Sequence, residues 1–409
     1  MVVEKSVKDL FRLILPLSRE RKERLLLLKP YLSIEDYSYT SYLFKRKIIG
    51  ISTQTLNLNS NFGLRINYPQ INVGVPDTKL QATITTWNER IKKQAGVASY
   101  TSFKDKAAQL IPALIAPHII GMEEAKLVSS WQLFCPERFH VLLLGDPGTG
   151  KTEILRGAAQ FSPISSFGLG SGTSGAGLAG AQKGSEFIKG LLPLAHKGMC
   201  CIDELNLMKP RDRGALLNAM EKGFVTYDKG TAHKNIPAEV RVLATANPKG
   251  DRFVGDTLDF LKEQMPFDAA LLSRFHIVFF IRRPSKTEFT QITKHIITKK
   301  QEPINTTDVE FIKEYVTYAS SIDVAFDKNL EPMVTSFFDD LKAHEKNYLI
   351  ELSPRLVLGV VRMAKARARM ELRTKVNHED VKEVLETFRR SLIISPDEIA
   401  GERRRKTRT

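Results

Sequence analysis

The chain has 409 residues, with 61 Lys and Arg against 46 Asp and Glu, a net charge of +15 and a pI near 9.6. Such an excess of cations favours polyanionic partners, nucleic acid first. The 42% hydrophobic and 26% charged content is that of a globular chain with sizeable cores, and no window approaches the roughly 18 uncharged apolar residues that a membrane span needs.

At the N-terminus, MVVEKSVKDLFRLILPL places Glu4, Lys5, Lys8 and Asp9 where a signal peptide would need an unbroken apolar core. A cytoplasmic protein with no membrane partner is therefore expected. Residues 4–28 read as helix interrupted near Pro16, with the charge-dense RERKER at 19–24. From 38 to 86, segments such as YLFKRKIIG, LRINY and KLQATITT, rich in β-branched and aromatic residues and punctuated by Asn, Gly and Pro, predict a β-rich module. Residues 87–112 read as a linker. From 113 to 284, apolar strand-like runs alternate with helical stretches, the signature of an α/β core. Adjacent Cys200 and Cys201 lie in one such run and read as small core residues. With Cys135 they are the only cysteines, and no CxxC pair exists, so neither a disulfide nor a zinc site is expected. After Pro284 the pattern predicts helices at 286–299, 307–320, 329–345, 354–370 and 378–392. In the last, Val381, Val384, Leu385, Phe388 and Leu392 recur at helical spacing behind Asn377 as N-cap. The stretch 355–373 holds Arg355, Arg362, Lys365, Arg367, Arg369 and Arg373 against Glu371, and residues 394–409 form a basic tail ending in ERRRKTRT.

The sharpest motif is Gly145-Asp146-Pro147-Gly148-Thr149-Gly150-Lys151-Thr152, a full GxxxxGK[ST] between the buried-strand run FHVLLL and the helical TEILRGAAQF. Its glycines let backbone N–H groups converge on phosphate oxygens, and the following helix adds its positive dipole end. Lys151 is placed to reach the β- and γ-phosphates and Thr152 to ligate Mg²⁺. A second apolar strand, GMCCIDEL, ends in Asp203 and Glu204, one acid for the magnesium shell and one to polarise the attacking water. A third, VRVLATAN, ends in Asn247, in reach of the γ-phosphate or that water. Arg274, in ALLSRFHIVFF, reads either as a salt-bridged edge residue or as an arginine finger aimed at another subunit's ATP.

In order along the chain, IAPHIIG (115–121), GDPGTGKT, CCIDELNLMKPRDRGALLNAME (200–221), TANPKGDRF (245–253), ALLSRF (270–275) and LSPR (352–355) resemble the motor of minichromosome-maintenance (MCM) replicative helicases. The likeness covers residues 110–392. It implies an AAA+ P-loop ATPase core at 113–284 with a C-terminal helical lid at 285–393, preceded by a small mixed α/β N-terminal module at 1–86 with 38–86 as a trimmed OB-like piece. By the resemblance Lys151, Thr152, Asp203, Glu204 and Asn247 form the cis half of an ATP site. Arg274 is the finger and Arg355 the second sensor, both supplied by a neighbour, while Ile119 and Ile120 line the adenine pocket. ATP and Mg²⁺ are then the expected cofactors, self-association into a hexamer the expected assembly, and single-stranded DNA in the ring channel the expected partner. Where the family usually carries glutamine after Met220 and Glu221, this chain has Lys222.

FVTYDKGTAHKNIPAEVRV (224–242) reads as a hairpin, which in the family projects into the channel. Lys229 best matches the DNA-touching lysine, with His233 and Lys234 beside it. The Gly/Ser-rich 166–184 falls where the family carries a second channel hairpin, here shortened. Two rival readings stay open: a protein-remodelling ATPase of the MoxR or magnesium-chelatase kind, favoured slightly by Asn206 where the family commonly has Asp, and a family member that binds DNA or ATP without unwinding.

Overall fold

The computed structural model describes residues 18–57, 65–74, 77–183, 186–229, 232–255, 258–298, 304 and 306–392. The N-terminal segment before 18 and the basic tail at 394–409 lie outside them. The chain divides into two compact units, 1–105 and 106–409.

In the first unit, α1 (Arg19–Leu26) and α2 (Ile34–Lys45) start on serine caps: the Ser18 and Ser33 hydroxyls accept from the N–H groups of Arg21 and Asp36. Strands β1 (Ile49–Asn57) and β2 (Arg65–Val73) pair antiparallel, Ile51 opposite Ile71. A long helix, α3 (Thr78–Leu114), follows.

These elements correct two expectations. Among the described residues, 38–86 contribute two strands rather than a β-rich barrel-like module. The reason is spacing. Tyr37, Thr40, Ser41 and Phe44 are buried at helical intervals on α2, and Leu80, Ile84, Trp87 and Ile91 repeat every three or four residues on α3. Burial at that period overrides the β propensity of their side chains. Residues 87–112, read as a linker, continue α3 as unbroken helix. Leu25, Leu28, Leu43, Phe44, Ile49, Ile51, Ile71, Ile84 and Trp87 form one apolar cluster. The outer edge of β2 is closed by a side chain: Asn88 accepts from the Ile71 N–H and donates to its carbonyl, both at 2.9 Å.

In the second unit, α4 (Glu123–Leu133) precedes β3 (Val141–Gly145), α5 (Lys151–Phe161) and β4 (Ser165–Leu169). A short helix α6 (Gly175–Ala179), the hairpin β5 (Gly180–Lys183) and β6 (Glu186–Lys189), and α7 (Leu191–Leu194) lead to β7 (Met199–Asp203). Next come α8 (Gly214–Lys222), the hairpin β8 (Phe224–Lys229) and β9 (Ala232–Pro237), and β10 (Arg241–Ala246). Two short helices, α9 (Leu258–Glu263) and α10 (Ala269–Leu272), precede β11 (Ile277–Ile281).

Strands β11, β3, β10, β7 and β4 lie in that order in one parallel sheet. A parallel sheet carries crossovers on both faces, so its central strands are continuous apolar runs: VLLLG and MCCID are buried throughout. Leu142, Leu144, Cys200, Ile202, Val242 and Ala244 share one core cluster, whereas the Cys201 thiol faces the Leu155 carbonyl of α5. The two cysteines are thus core residues on opposite faces, as the period of two requires.

Helices α11 (Lys286–Thr298), α12 (Thr306–Ser320), α13 (Glu331–Ala343), α14 (Pro354–Met370) and α15 (His378–Ser391) complete the unit. Each falls within two residues of its predicted span. Asn377 caps α15 in a full capping box with Asp380. Val381, Val384, Leu385 and Phe388 face inward, with Phe388 edge-on to Phe337 of α13. No helix among the described residues is long and apolar enough to cross a membrane.

Candidate nucleotide site

The carboxyl ends of β3, β7 and β10 open onto one cleft of about 1000 Å³, the place where parallel α/β sheets bind ligands. Of the loop from Gly145 to Thr152, residues Pro147 to Thr152 line the cleft, while Gly145 and Asp146 do not. Two geometric demands fix glycine there. A Cβ on Gly145 would come within 2.1 Å of the Ile281 carbonyl, and Gly150 sits at φ 91° with Ile119 packed where its Cβ would be. Gly150 is also the N-cap of α5, and with Lys151 and Thr152 it brings the positive end of that helix to the cleft.

Lys151 is only 6% exposed and donates to the carbonyls of Gly145 (2.8 Å) and Asp146 (2.6 Å). Burial pulls its pKa down to about 8, against the opposing pull of Asp146, Asp203 and Glu204. The Thr152 hydroxyl stands 3.0 Å from both oxygens of Asp203. This pair offers the hard oxygen donors a divalent cation requires. Thr245, from β10, donates its hydroxyl to Asp203 at 2.5 Å and accepts the Glu204 N–H at 2.9 Å. One side chain therefore aligns both acids. Glu204 adopts the left-handed conformation, φ 52°, which a non-glycine residue holds only where its surroundings enforce it. Asn247 lines the same cleft, its N–H held by the Asn206 side chain at 3.0 Å. Ile119, Ile120, Pro147, Gly148 and Thr149 complete the wall. Asp146 turns away. Its carboxylate accepts from the N–H groups of Phe253 (2.8 Å) and Arg283 (3.1 Å) and so ties the loop to β11 and its neighbours.

Arg274 and Arg355 do not line this cleft. Arg274 pairs with Glu221 at 2.7 Å. Burial chiefly, then Arg274, lowers the pKa of Arg355, with Arg362 and Arg138 adding to the push and Glu221 opposing it. The structure thus gathers the two predicted arginines into one cluster and separates them from the lysine, the acids and the asparagine.

In the β8–β9 hairpin, Asp228 pairs with His233 and Lys229 with Ala232 as the last rungs before 230–231, which lie outside the described residues. Lys234 is exposed. A second hairpin, β5–β6, straddles the end of the Gly/Ser-rich stretch 166–184, and its Phe187 ring meets Tyr227 of the first edge-on at 5.2 Å.

Thr245, Asn206, Glu221, Arg138 and Arg362 went unassigned in the sequence reading. A signal existed for Thr245, a lone hydroxyl inside the apolar run VRVLATA.

A five-stranded parallel sheet with a phosphate loop after its first strand, an acidic pair after its third, an asparagine after its fourth and a helical bundle beyond defines an AAA+ nucleotide-binding module with its lid. A family model of the MCM P-loop domain matches residues 98–300, and one of the MCM AAA-lid domain matches 310–392. The chain is 28% identical over 325 residues to DNA replication licensing factor mcm7-B of Xenopus laevis, covering 73% of this chain and 44% of that protein. It is 29% identical over 309 residues to the probable DNA helicase MCM8 of Arabidopsis thaliana (62% of this chain, 38% of that one). With the minichromosome maintenance protein MCM of Saccharolobus solfataricus it shares 26% identity over 298 residues, 67% of this chain and 43% of that one. The chain belongs to the MCM family, and it spans less than half the length of these relatives.

Proposed function

We propose that the chain is an ATP-driven DNA motor of replication whose catalytic sites are shared between neighbouring protomers. The observation that supports this best is the division of the predicted site. Lys151, Thr152, Asp203, Glu204 and Asn247 converge on one cleft, while Arg274 and Arg355 stand together elsewhere. A complete site then needs a second protomer, in a head-to-tail contact that closes as a ring, by family likeness a hexamer.

In this reading Lys151 binds the β- and γ-phosphates, Glu204 takes the proton of the attacking water, and Asn247 orients that water or the γ-phosphate. Thr152 and Asp203 hold Mg²⁺, which neutralises phosphate charge when bound. Arg274 of the neighbour meets the charge that develops on the transferred phosphoryl group, and Arg355 of the neighbour binds the same phosphates. Ile119 and Ile120 pack on the adenine. Lys229, His233 and Lys234 present cationic and hydrogen-bonding groups to single-stranded DNA, and nucleotide-driven movement of the hairpin pulls the strand and parts the duplex. Family membership speaks against the protein-remodelling alternative.

The test is ATP turnover per chain across protein concentrations, with and without single-stranded DNA. We expect turnover to rise steeply with concentration and to increase further with DNA. Turnover indifferent to both would contradict the reading.

A further inference from the structure

Around Arg274 the charges do not balance. Arg355 stands among Arg274, Arg362 and Arg138 and the carboxylate of Glu221, which lies at the last turn of α8. The Glu221 side chain binds Arg274, while its backbone carbonyl accepts from Arg138 Nη1 at 2.7 Å. Arg362 Nη1 in turn donates to the Arg138 carbonyl at 2.5 Å and lies 2.9 Å from His276 Nε2. Donors are left over. Arg274 Nε and Arg355 Nη1 are buried without a hydrogen-bond partner among the described residues. Buried polar groups are otherwise almost always satisfied, so orphaned donors on two adjacent cations point to an anion arriving from outside.

Glu221 suits displacement. Its side chain is 47% exposed, and the Arg274 side chain 21%, so the pair is partly screened by water and each bond is weak. A carboxylate offers two oxygens and one charge, whereas a triphosphate offers more of both. We propose that Glu221 is a positioning residue: its carboxylate holds Arg274 within the arginine cluster while the protomer stands alone, and gives it up to the phosphates of a neighbour's nucleotide. The proposal rests on the reading of Arg274 as a residue that acts across the subunit seam. Glu221 thus competes with the phosphates for the guanidinium and is displaced once they bind. Neutralising Glu221 removes the competition and tightens phosphate binding.

The test uses the whole chain carrying Lys151→Ala, which cripples the phosphate loop and leaves the arginine cluster as the anion site. Tripolyphosphate is titrated by calorimetry at low salt. Adding Glu221→Gln is expected to tighten binding about threefold to tenfold, the effect of one unit charge removed beside the anion. Glu221→Ala should tighten it as well, so either neutral variant decides if the other misfolds. Glu221→Asp, which keeps the charge, should restore the parent affinity, and Arg274→Ala should weaken binding. In the chain with Lys151 intact, Glu221→Gln should lower the KM for ATP by a similar factor and leave kcat within about twofold, a split that a merely structural role would not give. No measurable tripolyphosphate binding, binding indifferent to Arg274→Ala, or binding unchanged or weakened by both neutral variants would overturn the proposal. Loss of the cross-protomer reading alone would appear elsewhere, as failure of two complementary inactive variants to restore turnover while these affinities still shift as stated.

Discussion

Lys151 holds a charge where water hardly reaches, satisfied by two carbonyls. Its pKa near 8 lies below the ordinary lysine value of 10.5, so between those two pH values the unfolded chain binds more protons than the folded one. This residue's contribution to stability accordingly rises with pH across that window. Melting without nucleotide should show the rise, and Lys151→Met should remove its share. Triphosphate binding brings negative charge to the amine and lifts its pKa again. At pH 8 we expect about half a proton to be taken up per ATP bound, and close to none at pH 6.5. Calorimetry in buffers of different ionisation enthalpy reads this directly, and proton release would contradict it. Glu204→Gln keeps the shape of the side chain and removes the proposed proton acceptor, so turnover should fall about 10²–10⁴-fold with ATP affinity retained.

The phosphate loop, the acid pair and the asparagine were legible because each demands fixed residue types at the end of a buried strand. Thr245, Asn206 and Glu221 were not. They act through partners 41, 41 and 53 positions away, and only the folded sheet reveals those contacts.

Elements show the same division. The lid helices follow a plain apolar period, and the Asn377 cap is readable from its neighbours. Asn377→Ala should cost about 1 kcal/mol in urea unfolding, since it removes the acceptor for the Asp380 N–H. The first unit misled because β-branched residues such as Ile84 and Thr85 lie on a helix, and their periodicity counts for more than their type. Between the two hairpins, Phe187 and Tyr227 form a contact no local pattern announces. If they move as one body, a double-mutant cycle with leucine at both positions should give a coupling of about 0.5–1.5 kcal/mol. A coupling of zero would mean that the hairpins move independently.

At the level of the whole molecule, the proposed hexamer would bring six hairpins to one strand of DNA. If each Lys229 meets one phosphate, the logarithm of single-strand affinity should fall against log salt with a slope of about −4. Lys229→Ala should bring that slope toward zero. The excess of 15 positive charges sets a favourable background for such binding, yet the slope belongs to the contacts rather than to the total. Matching relatives are more than twice as long as the portion shared with this chain.

The sharing of catalytic sites is decided by mixing. Lys151→Ala and Arg274→Ala proteins should each be inactive, one lacking the phosphate lysine and the other the finger. Combined in equal amounts under assembling conditions, they should regain about one quarter of wild-type turnover, because about one seam in four then joins an intact cleft to an intact finger. A mixture as inactive as its components, with assembly verified, would contradict a site built from two protomers.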